Sequence, residues 1–316
     1  MNPKYDLDSK YYHGFFAPSL APIVELTPGE PIHFSVPDAG WGLENHSLNG
    51  YQRKELPCPT GLSPKGHCLF GPISIKGAKP DTTLEIKVLK LEMASWGWTQ
   101  GGWPTPDTSI ATGQIGPHLM TWELDGNYLV NNLGHRVKSE PFLGVMGLPM
   151  KSPEMQLTTP PQFCGGNIDC KHITEGSSLY LPVTVPGALF SAGDAHHAQG
   201  NGEICGNAIE TMAEHVSLSF EVHLEKVDWP IFENDHLIGV LCAAPSLNHA
   251  CNSAVQQAVL LLSKMYELPI KDARALGSAL IDLEITQCVN QNLGVQAILS
   301  KEKLQTCFGE LPSLFK

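Results

Sequence analysis

The segment from residue 187 to residue 203 carries the side chains best suited to chemistry in this sequence. Glycines are interspersed there with two acidic residues and two histidines, namely Asp194, His196, His197 and Glu203. Because glycine permits positive φ and tight bends, such a loop can turn several side chains toward one point. Carboxylates and imidazoles bind metal ions and move protons near neutral pH. We therefore predict a functional site here, with a solvated turn as the alternative.

A second polar segment lies just upstream, at residues 165–172. It reads Gly-Gly-Asn-Ile-Asp-Cys-Lys-His and contributes Asn167 and Asp169. Between the two segments, apolar residues alternate at positions 179, 181, 183 and 185, which is the pattern of a buried strand. Two polar segments at either end of one strand are expected to form a single site.

Asp38 is a further acidic candidate. Ile32, Phe34 and Val36 alternate with polar residues as in a half-buried strand, and Asp38 continues the apolar face. Burying a carboxylate without a partner is costly, so its position suggests a role. The alternative is that Asp38 caps the turn at residues 39–40. Trp96, Trp98 and Trp103 could line an apolar pocket, but the sequence does not connect them to the polar segments.

Composition limits the class of protein. The 316 residues are 42% hydrophobic and 16% charged, which is typical of a globular protein with a sizeable core. A net charge of -12 opposes binding to nucleic-acid phosphates, and no apolar run is long enough for a transmembrane helix. The polar start lacks an apolar signal-peptide core, and the nine cysteines show no Cys-x-x-Cys spacing. We expect a cytoplasmic protein with no membrane or nucleic-acid partner, and a homodimer.

The secondary-structure pattern predicts a mainly β fold. The 30 glycines and 25 prolines favour frequent turns, and residues 218–224 alternate as an amphipathic strand. After Ser246 the period becomes helical, with a break at Leu268-Pro269 and a second helix whose face carries Ala273, Leu276, Leu280 and Leu283. We predict a single domain over residues 1–316, α+β by strict count. It has a β-sandwich or barrel-like body over about 1–245 and a C-terminal helical hairpin within about 246–316.

Several ordered motifs resemble the acetamidase/formamidase family. They are Pro-Phe-Leu-Gly-Val-Met-Gly (141–147), Gly-Gly-Asn-Ile-Asp (165–169), Gly-Ser-Ser-Leu-Tyr-Leu-Pro-Val (176–183), Gly-Ala-Leu-Phe-Ser-Ala-Gly-Asp-Ala-His (187–196), Gly-Asn-Gly-Glu (200–203) and Ala-Ile-Glu (208–210). The resemblance implies a mainly β fold that hydrolyses the C–N bond of small amides such as formamide or acetamide, with a bound divalent metal in some relatives. The family often has aspartate where Asn201 stands and a small residue where His197 stands.

Amide hydrolysis of the kind that the resemblance implies assigns roles to these residues. Asp38, Asp169 and His196 are predicted to bind a divalent metal, and their oxygen and nitrogen donors suit zinc. Glu203 is the predicted general base and later acid, and Asn167 with nearby backbone N–H groups is predicted to bind the oxyanion. Asp194 is placed with the catalytic group. His196 could instead fix its loop, and Asp194 could only brace a turn.

Other functions remain open from the sequence. A cysteine nucleophile, Cys164 or Cys170 with a nearby histidine, would replace the metal. A lactam or a carbamate-like compound could be the substrate instead of a linear amide. A protein that binds a small ligand without catalysis could also keep this fold, with Asn201 as a sign of drift.

Overall fold

Strands make up most of the secondary structure. The computed structural model describes residues 4–48, 52–59, 66–101 and 118–315. The strands in these ranges are Lys4–Tyr5 (β1), Tyr12–His13 (β2), Val24–Leu26 (β3), Ile32–Val36 (β4), Leu69–Ile75 (β5), Thr83–Met93 (β6), Trp96–Gly101 (β7), His118–Asp125 (β8), Tyr128–Asn131 (β9), Arg136–Lys138 (β10), Phe142–Gly147 (β11), Gly165–Asn167 (β12), Ser178–Pro182 (β13), Phe190–Ala198 (β14), Ile209–Thr211 (β15), Ala213–His223 (β16), Ile231–Glu233 (β17), Leu237–Ala244 (β18), Ile281–Gln287 (β19) and Leu293–Ser300 (β20). The helices are Leu247–Met265 (α1), Ile270–Leu280 (α2) and Lys301–Phe308 (α3), and Ser9–Tyr11 forms a 3₁₀ turn.

The strands form two sheets. Within the described ranges the first sheet has nine strands in the order β1-β4-β16-β6-β13-β17-β18-β20-β19. The second has eleven, in the order β10-β9-β8-β7-β15-β14-β11-β12, with β5 paired to β14 and both β2 and β3 paired to β5. In the part of the chain described here, neither sheet closes on itself, so the body is a sandwich and not a barrel.

Aromatic side chains from the two sheets meet in the core. Phe34 of the first sheet stacks on Phe70 of the second, with ring centroids 4.2 Å apart. Phe220 of the first sheet meets Phe190 of the second edge-on at 5.2 Å. All four rings are fully buried, and burying one such side chain stabilises the fold by about 1.5–3 kcal/mol. The predicted mainly β, sandwich-like body is therefore confirmed.

The C-terminal helices cover the first sheet. The Ser246 hydroxyl caps α1 by accepting from the His249 N–H at 3.3 Å. The helix packs on β18 and β20 through Ala250, Ala254 and Ala258. The predicted break at Pro269 separates α1 from α2. Among the described helices, none is both long and apolar enough to cross a membrane.

One part of the C-terminal prediction was wrong. Leu283 was expected on the face of the second helix, but it lies in β19, and β19 and β20 both join the first sheet. The sequence Ile-Asp-Leu-Glu-Ile at 281–285 alternates with the period of a strand. The apolar residues of this segment also fit the helical spacing of α2. The segment nevertheless forms a strand, because it pairs with β20.

Four neighbouring strands of the second sheet place a row of side chains side by side. His196 of β14 is the direct partner of Phe142 on β11 and of Glu210 on β15, and Glu210 is the direct partner of Trp98 on β7. Directly opposed residues in an antiparallel pair share one face. We refer to Phe142, His196, Glu210 and Trp98 as the cross-strand row.

Candidate active site

The centre of the candidate site is the imidazole of His196. Its Nε2 lies 3.3 Å from Asp194 Oδ1 on the same strand and 3.2 Å from Glu210 Oε1 on the neighbouring strand. The ring edge packs against Phe142 with centroids 5.0 Å apart, and the side chain is fully buried. The Ala208 N–H donates to Glu210 Oε1 at 2.9 Å, which fixes that carboxylate. His196 is thus bracketed by two carboxylates.

The upstream polar segment supplies Asp169 to the same place. The N–H groups of Ile168 and Asp169 donate to the Gly144 carbonyl at 3.1 and 3.2 Å, which ties the segment to β11. Glu203 approaches from a turn after β14, in which the Gly202 N–H donates to the Thr286 carbonyl at 3.0 Å. The two polar segments therefore meet, as predicted.

The two segments meet by a different route from the one expected. The strand between them in sequence is β13, and it belongs to the first sheet. The site instead forms in the second sheet, where β12 and β14 pair with opposite edges of β11. Each segment follows or includes one of these two strands, so β11 holds them together.

Two groups of side chains share His196. Asp169, His196 and Glu203 form one, and Asp194, His196 and Glu210 form the other, with the ligand atoms of each group within 4.8 Å of one another. Within the described residues, both Asp169 carboxylate oxygens, His196 Nδ1 and Glu210 Oε2 are buried without a hydrogen-bond partner. His196 Nε2 lies within ion-pair distance of two carboxylates but forms no hydrogen bond of good geometry with either. Unpaired buried polar atoms are rare, and this oxygen and nitrogen donor set is the one that divalent metals such as zinc use. The residues fit a divalent ion.

Gly144 allows three of these side chains to approach β11. A Cβ at this position would lie 2.5 Å from Asp194 Oδ2, 2.7 Å from His196 Cε1 and 2.8 Å from Asp169 Oδ1. These separations are shorter than real Cβ contacts, so any side chain would push the donors apart. The glycine is required here for space.

Three acidic residues of the site have positive backbone φ. Asp169, Asp194 and Glu203 have φ values of 45°, 62° and 46°. Left-handed backbone is unfavourable for residues other than glycine, and such residues cluster at functional sites. The sequence suggested that glycines of the two polar segments make the bends, and Gly166 and Gly202 do have positive φ; the acidic residues beside them take this conformation as well.

Burial and mutual repulsion change the proton affinities of the site. Burial, and next the charge of Asp194, raise the pKa of Asp169 well above its usual value. Burial and the charge of Asp169 do the same to the pKa of Glu203, and burial raises the pKa of Glu210. Burial alone would lower the pKa of His196, but Glu210 and Asp194 outweigh it and raise that pKa well above its usual value.

Asp194 is the exception among the acidic residues. Burial would raise its pKa, but the charges of His196 and then His67 outweigh burial and hold that pKa below its usual value. The pKa of Asp194 is therefore low while the pKa values of Asp169 and Glu203 are high. Such a difference lets one carboxyl stay ionised while its neighbours hold protons.

Asp38 lies outside both groups. Its Oδ1 accepts from the Gly42 N–H at 2.7 Å, its Oδ2 accepts from Trp98 Nε1 at 2.8 Å, and Arg53 forms an ion pair with both oxygens. Among the described residues, the predicted ligand trio of Asp38, Asp169 and His196 is thus not brought together. Arg53 lies 15 positions away in sequence, and it neutralises the buried carboxylate that seemed to need a metal.

The other predicted residues are placed as follows. Asn167 is buried next to the site, its Nδ2 donates to the Thr159 carbonyl at 3.1 Å, and its role toward an oxyanion stays a prediction. His197 bonds the Ala94 carbonyl through Nε2 at 2.9 Å and Ser139 Oγ through Nδ1 at 3.0 Å, so both of its ring nitrogens are occupied away from the two groups. Trp103 lies outside the described residues.

The cysteine alternative is disfavoured by its surroundings. The thiols of Cys164 and Cys170 donate to the Leu148 carbonyl and to Gln296 Oε1. Burial raises the pKa of each to about 12, so neither forms the thiolate that attacks a carbonyl.

Sequence reasoning missed Glu210, Gly144 and the contribution of His67. Glu210 was quoted within the Ala-Ile-Glu motif but received no role. The available signal was a lone acidic residue in a short apolar strand, Ala-Ile-Glu-Thr, which is the same anomaly that drew attention to Asp38. Gly144 carried no signal, because its need for space depends on side chains from β14 and the loop after β12.

We expect Gly144→Ala to destabilise the protein by about 1–3 kcal/mol, the usual effect of overpacking. The added methyl group must displace Asp169, Asp194 or His196. Denaturant unfolding measures the loss, and Gly200→Ala is the matched control, because a Cβ there has nothing within 4 Å. Equal stability of the two variants would contradict the packing described here.

Unfolding measured with a chelator present should depend on pH. Folding raises the pKa of Asp169, Glu203, Glu210 and His196, so these groups release protons on unfolding, and stability falls as pH rises from about 5 to 8. Asp194, with its lowered pKa, is ionised in both states over this range and adds no slope. Glu203→Gln should reduce the slope. Stability that rises with pH in this window would refute the assignment.

Comparisons with known proteins agree with this fold and these motifs. A family model described as the Acetamidase/Formamidase family matches residues 150–238. A formamidase of Methylophilus methylotrophus is 26% identical over 276 residues, which cover 66% of this chain and 64% of that protein. An acetamidase of Mycolicibacterium smegmatis is 54% identical over 55 residues, which cover 17% of this chain and 13% of that protein. The chain thus spans less than two thirds of the length of either relative.

A solved structure extends the comparison to the whole chain. The acetamidase of Bacillus halodurans superposes with a TM-score of 0.83 at 24% identity, covering 96% of this chain and 99% of that one. At this identity the superposition concerns the fold. The family-model match, the curated relatives and the fold together confirm the resemblance of this chain to the acetamidase/formamidase family.

Proposed function

We propose that this protein hydrolyses the C–N bond of short aliphatic amides, of the formamide or acetamide type, and releases ammonia and a carboxylate. The observation that carries the proposal is the buried set of unpaired donor atoms on Asp169, His196 and Glu210, with Glu203 beside it. In a purely structural cluster, the Asp169 oxygens, His196 Nδ1 and Glu210 Oε2 would each have a hydrogen-bond partner. The formamidase and acetamidase relatives support the choice of amide substrates.

The proposal includes a divalent ion, zinc as first choice. His196 with Asp194 and Glu210 would hold it, while Asp169 and Glu203 form the other group at the same imidazole. Glu210 takes the place that the sequence suggested for Asp38. A bound ion of this kind lowers the pKa of water and polarises a carbonyl oxygen. Its charge would also offset the carboxylates that are buried around one imidazole.

Glu203 handles the proton in the proposed reaction. Water must lose a proton as its oxygen bonds the carbonyl carbon, and the nitrogen must gain one before the C–N bond breaks. In its ionised form, a carboxyl with a raised pKa can take the first proton and return it to the nitrogen. Ammonia then leaves, and the carboxylic acid that is formed loses its remaining proton to water to give the carboxylate. Glu203 meets this requirement, because burial and the neighbouring Asp169 raise its pKa.

We also propose the compartment, the partners and the assembly of this enzyme. Seven of the nine cysteines, at positions 164, 170, 205, 242, 251, 288 and 307, are free thiols, which supports a reducing, cytoplasmic compartment. The net charge of -12 argues against a nucleic-acid partner. A homodimer is the assembly that we propose, since twofold dimers are the commonest oligomers.

Glu203→Gln should lower the rate of ammonia release from formamide or acetamide at least about 100-fold, the usual scale for loss of a general base. The amide keeps the shape of the side chain but cannot carry the proton. Glu302→Gln, an exposed change on α3, is the control and should leave the rate unchanged. A Glu203→Gln enzyme with near-normal turnover would remove this residue from the mechanism.

Metal content should be about one divalent ion per chain by elemental analysis of the purified protein. A chelator should abolish ammonia release, and zinc should restore it, because the donor set fits such an ion. Activity that survives complete removal of metal would overturn the metal part of the proposal. A metal-loaded protein inactive on formamide and acetamide would overturn the amide part, and lactams, carbamates and simple ligand binding would then be assayed.

A further inference from the structure

Trp98 is held rigidly beside the candidate site. Its indole N–H donates to Asp38 Oδ2 at 2.8 Å, and the Arg53 guanidinium that pairs with Asp38 lies 5.8 Å from the indole ring centroid. The His46 ring meets the indole edge-on at 4.8 Å. These contacts with Asp38, Arg53 and His46 fix both the position and the tilt of the indole ring.

The indole shares a face of the second sheet with the candidate site. Trp98 is the direct partner of Glu210, which in turn is the direct partner of His196. The preceding residue, Gly97, faces the other way, since a Cβ there would meet Ile209 Cγ2 at 2.8 Å and His197 Cδ2 at 3.5 Å. Trp98 therefore stands next to Glu210 in the cross-strand row, and not on the side where His197 is buried.

An open cavity of about 410 Å³ lies against the indole. Cys205 and Gly206 of its lining belong to the turn that carries Glu203. The rest of the lining is Trp98 and Val289 together with the amide residues Gln100, Asn207 and Asn290. The Gly206 N–H donates to the Glu203 carbonyl at 2.8 Å, so this wall of the cavity is part of the same turn. The indole is partly exposed on the cavity side.

From these contacts we infer that Trp98 is a specificity-determining residue, which closes the acyl side of the site and restricts the substrate to amides with short acyl groups. The inference rests on the proposed function. Because the indole N–H is occupied by Asp38, the ring offers the substrate an apolar face and no donor. Because the ring is held by Asp38 and His46, it cannot swing aside for a longer chain at little cost. Each added methylene in such a pocket changes specificity by roughly 10–200-fold.

The test is a series of amides of increasing acyl length. Ammonia release from acetamide, propionamide, butyramide and valeramide gives kcat/KM for each. In Trp98→Ala the ratio of kcat/KM for valeramide to that for acetamide should rise at least about tenfold over the wild type, mainly through a lower KM for valeramide. Trp122→Ala is the matched control and should leave the ratio unchanged. Trp122 is the partner of Gly97 and packs with Leu129 and Ile209.

The outcomes separate this inference from the proposed function. A folded Trp98→Ala enzyme with the wild-type ratio overturns it, as does a wild type that hydrolyses valeramide as well as acetamide. If circular dichroism shows that Trp98→Ala is unfolded, Trp98→Leu is judged by the same ratio. If the wild type hydrolyses none of these amides, the proposed function fails. The role of Trp98 is then tested by calorimetry, which measures the binding of acetate and of valerate to the wild type and to Trp98→Ala. The variant must then gain about tenfold in relative affinity for valerate, and no gain overturns the inference.

Discussion

Buried negative charge around one imidazole is the constraint on which the site depends. Asp194 and Glu210 lie within 3.3 Å of His196, and Asp169 and Glu203 complete the second group. One protonated imidazole cannot balance four ionised carboxylates, and an unpaired buried charge is strongly unfavourable. The cluster must hold either extra protons or a cation. The raised pKa values of Asp169 and Glu203 show that these carboxyls can hold extra protons. The unpaired donor atoms could instead bind a cation.

Holding these groups together requires support from both sheets. Each positive-φ residue costs on the order of 1–3 kcal/mol and persists only where surrounding contacts impose it. Asp169 is fixed by the Gly144 carbonyl in the second sheet. The turn that carries Glu203 is tied to β19, an edge strand of the first sheet, through Thr286 and through the bridge between Gly202 and Gln287. The C-terminal strands therefore help to position the site and do not only enlarge the sheet.

Local patterns predicted more of the fold than of the site. Period-two alternation located β4 and β16, and the polar segments identified Asp169, His196 and Glu203, because these signals lie within a few consecutive residues. Pairing across the sheets carries no such signal. Asp38 looked unpaired because Arg53 is distant in sequence, and Glu210 looked ordinary because its partner lies on another strand. What failed was the prediction of which charge neutralises which. This depends on contacts between distant segments, a loop-to-loop contact for Asp38 and strand register for Glu210.

The two departures from the family pattern leave the donor set intact. Asn201 is exposed, and its Nδ2 donates to Glu284 Oε2 at 2.8 Å, so an aspartate there would set one carboxylate against another. His197 is held by Ala94 and Ser139, on the side of the sheet away from His196. Neither residue belongs to the groups that meet at His196. The hydrogen bond to Glu284 accounts for Asn201. This departure from the family pattern therefore does not support the alternative of a ligand-binding protein without catalysis.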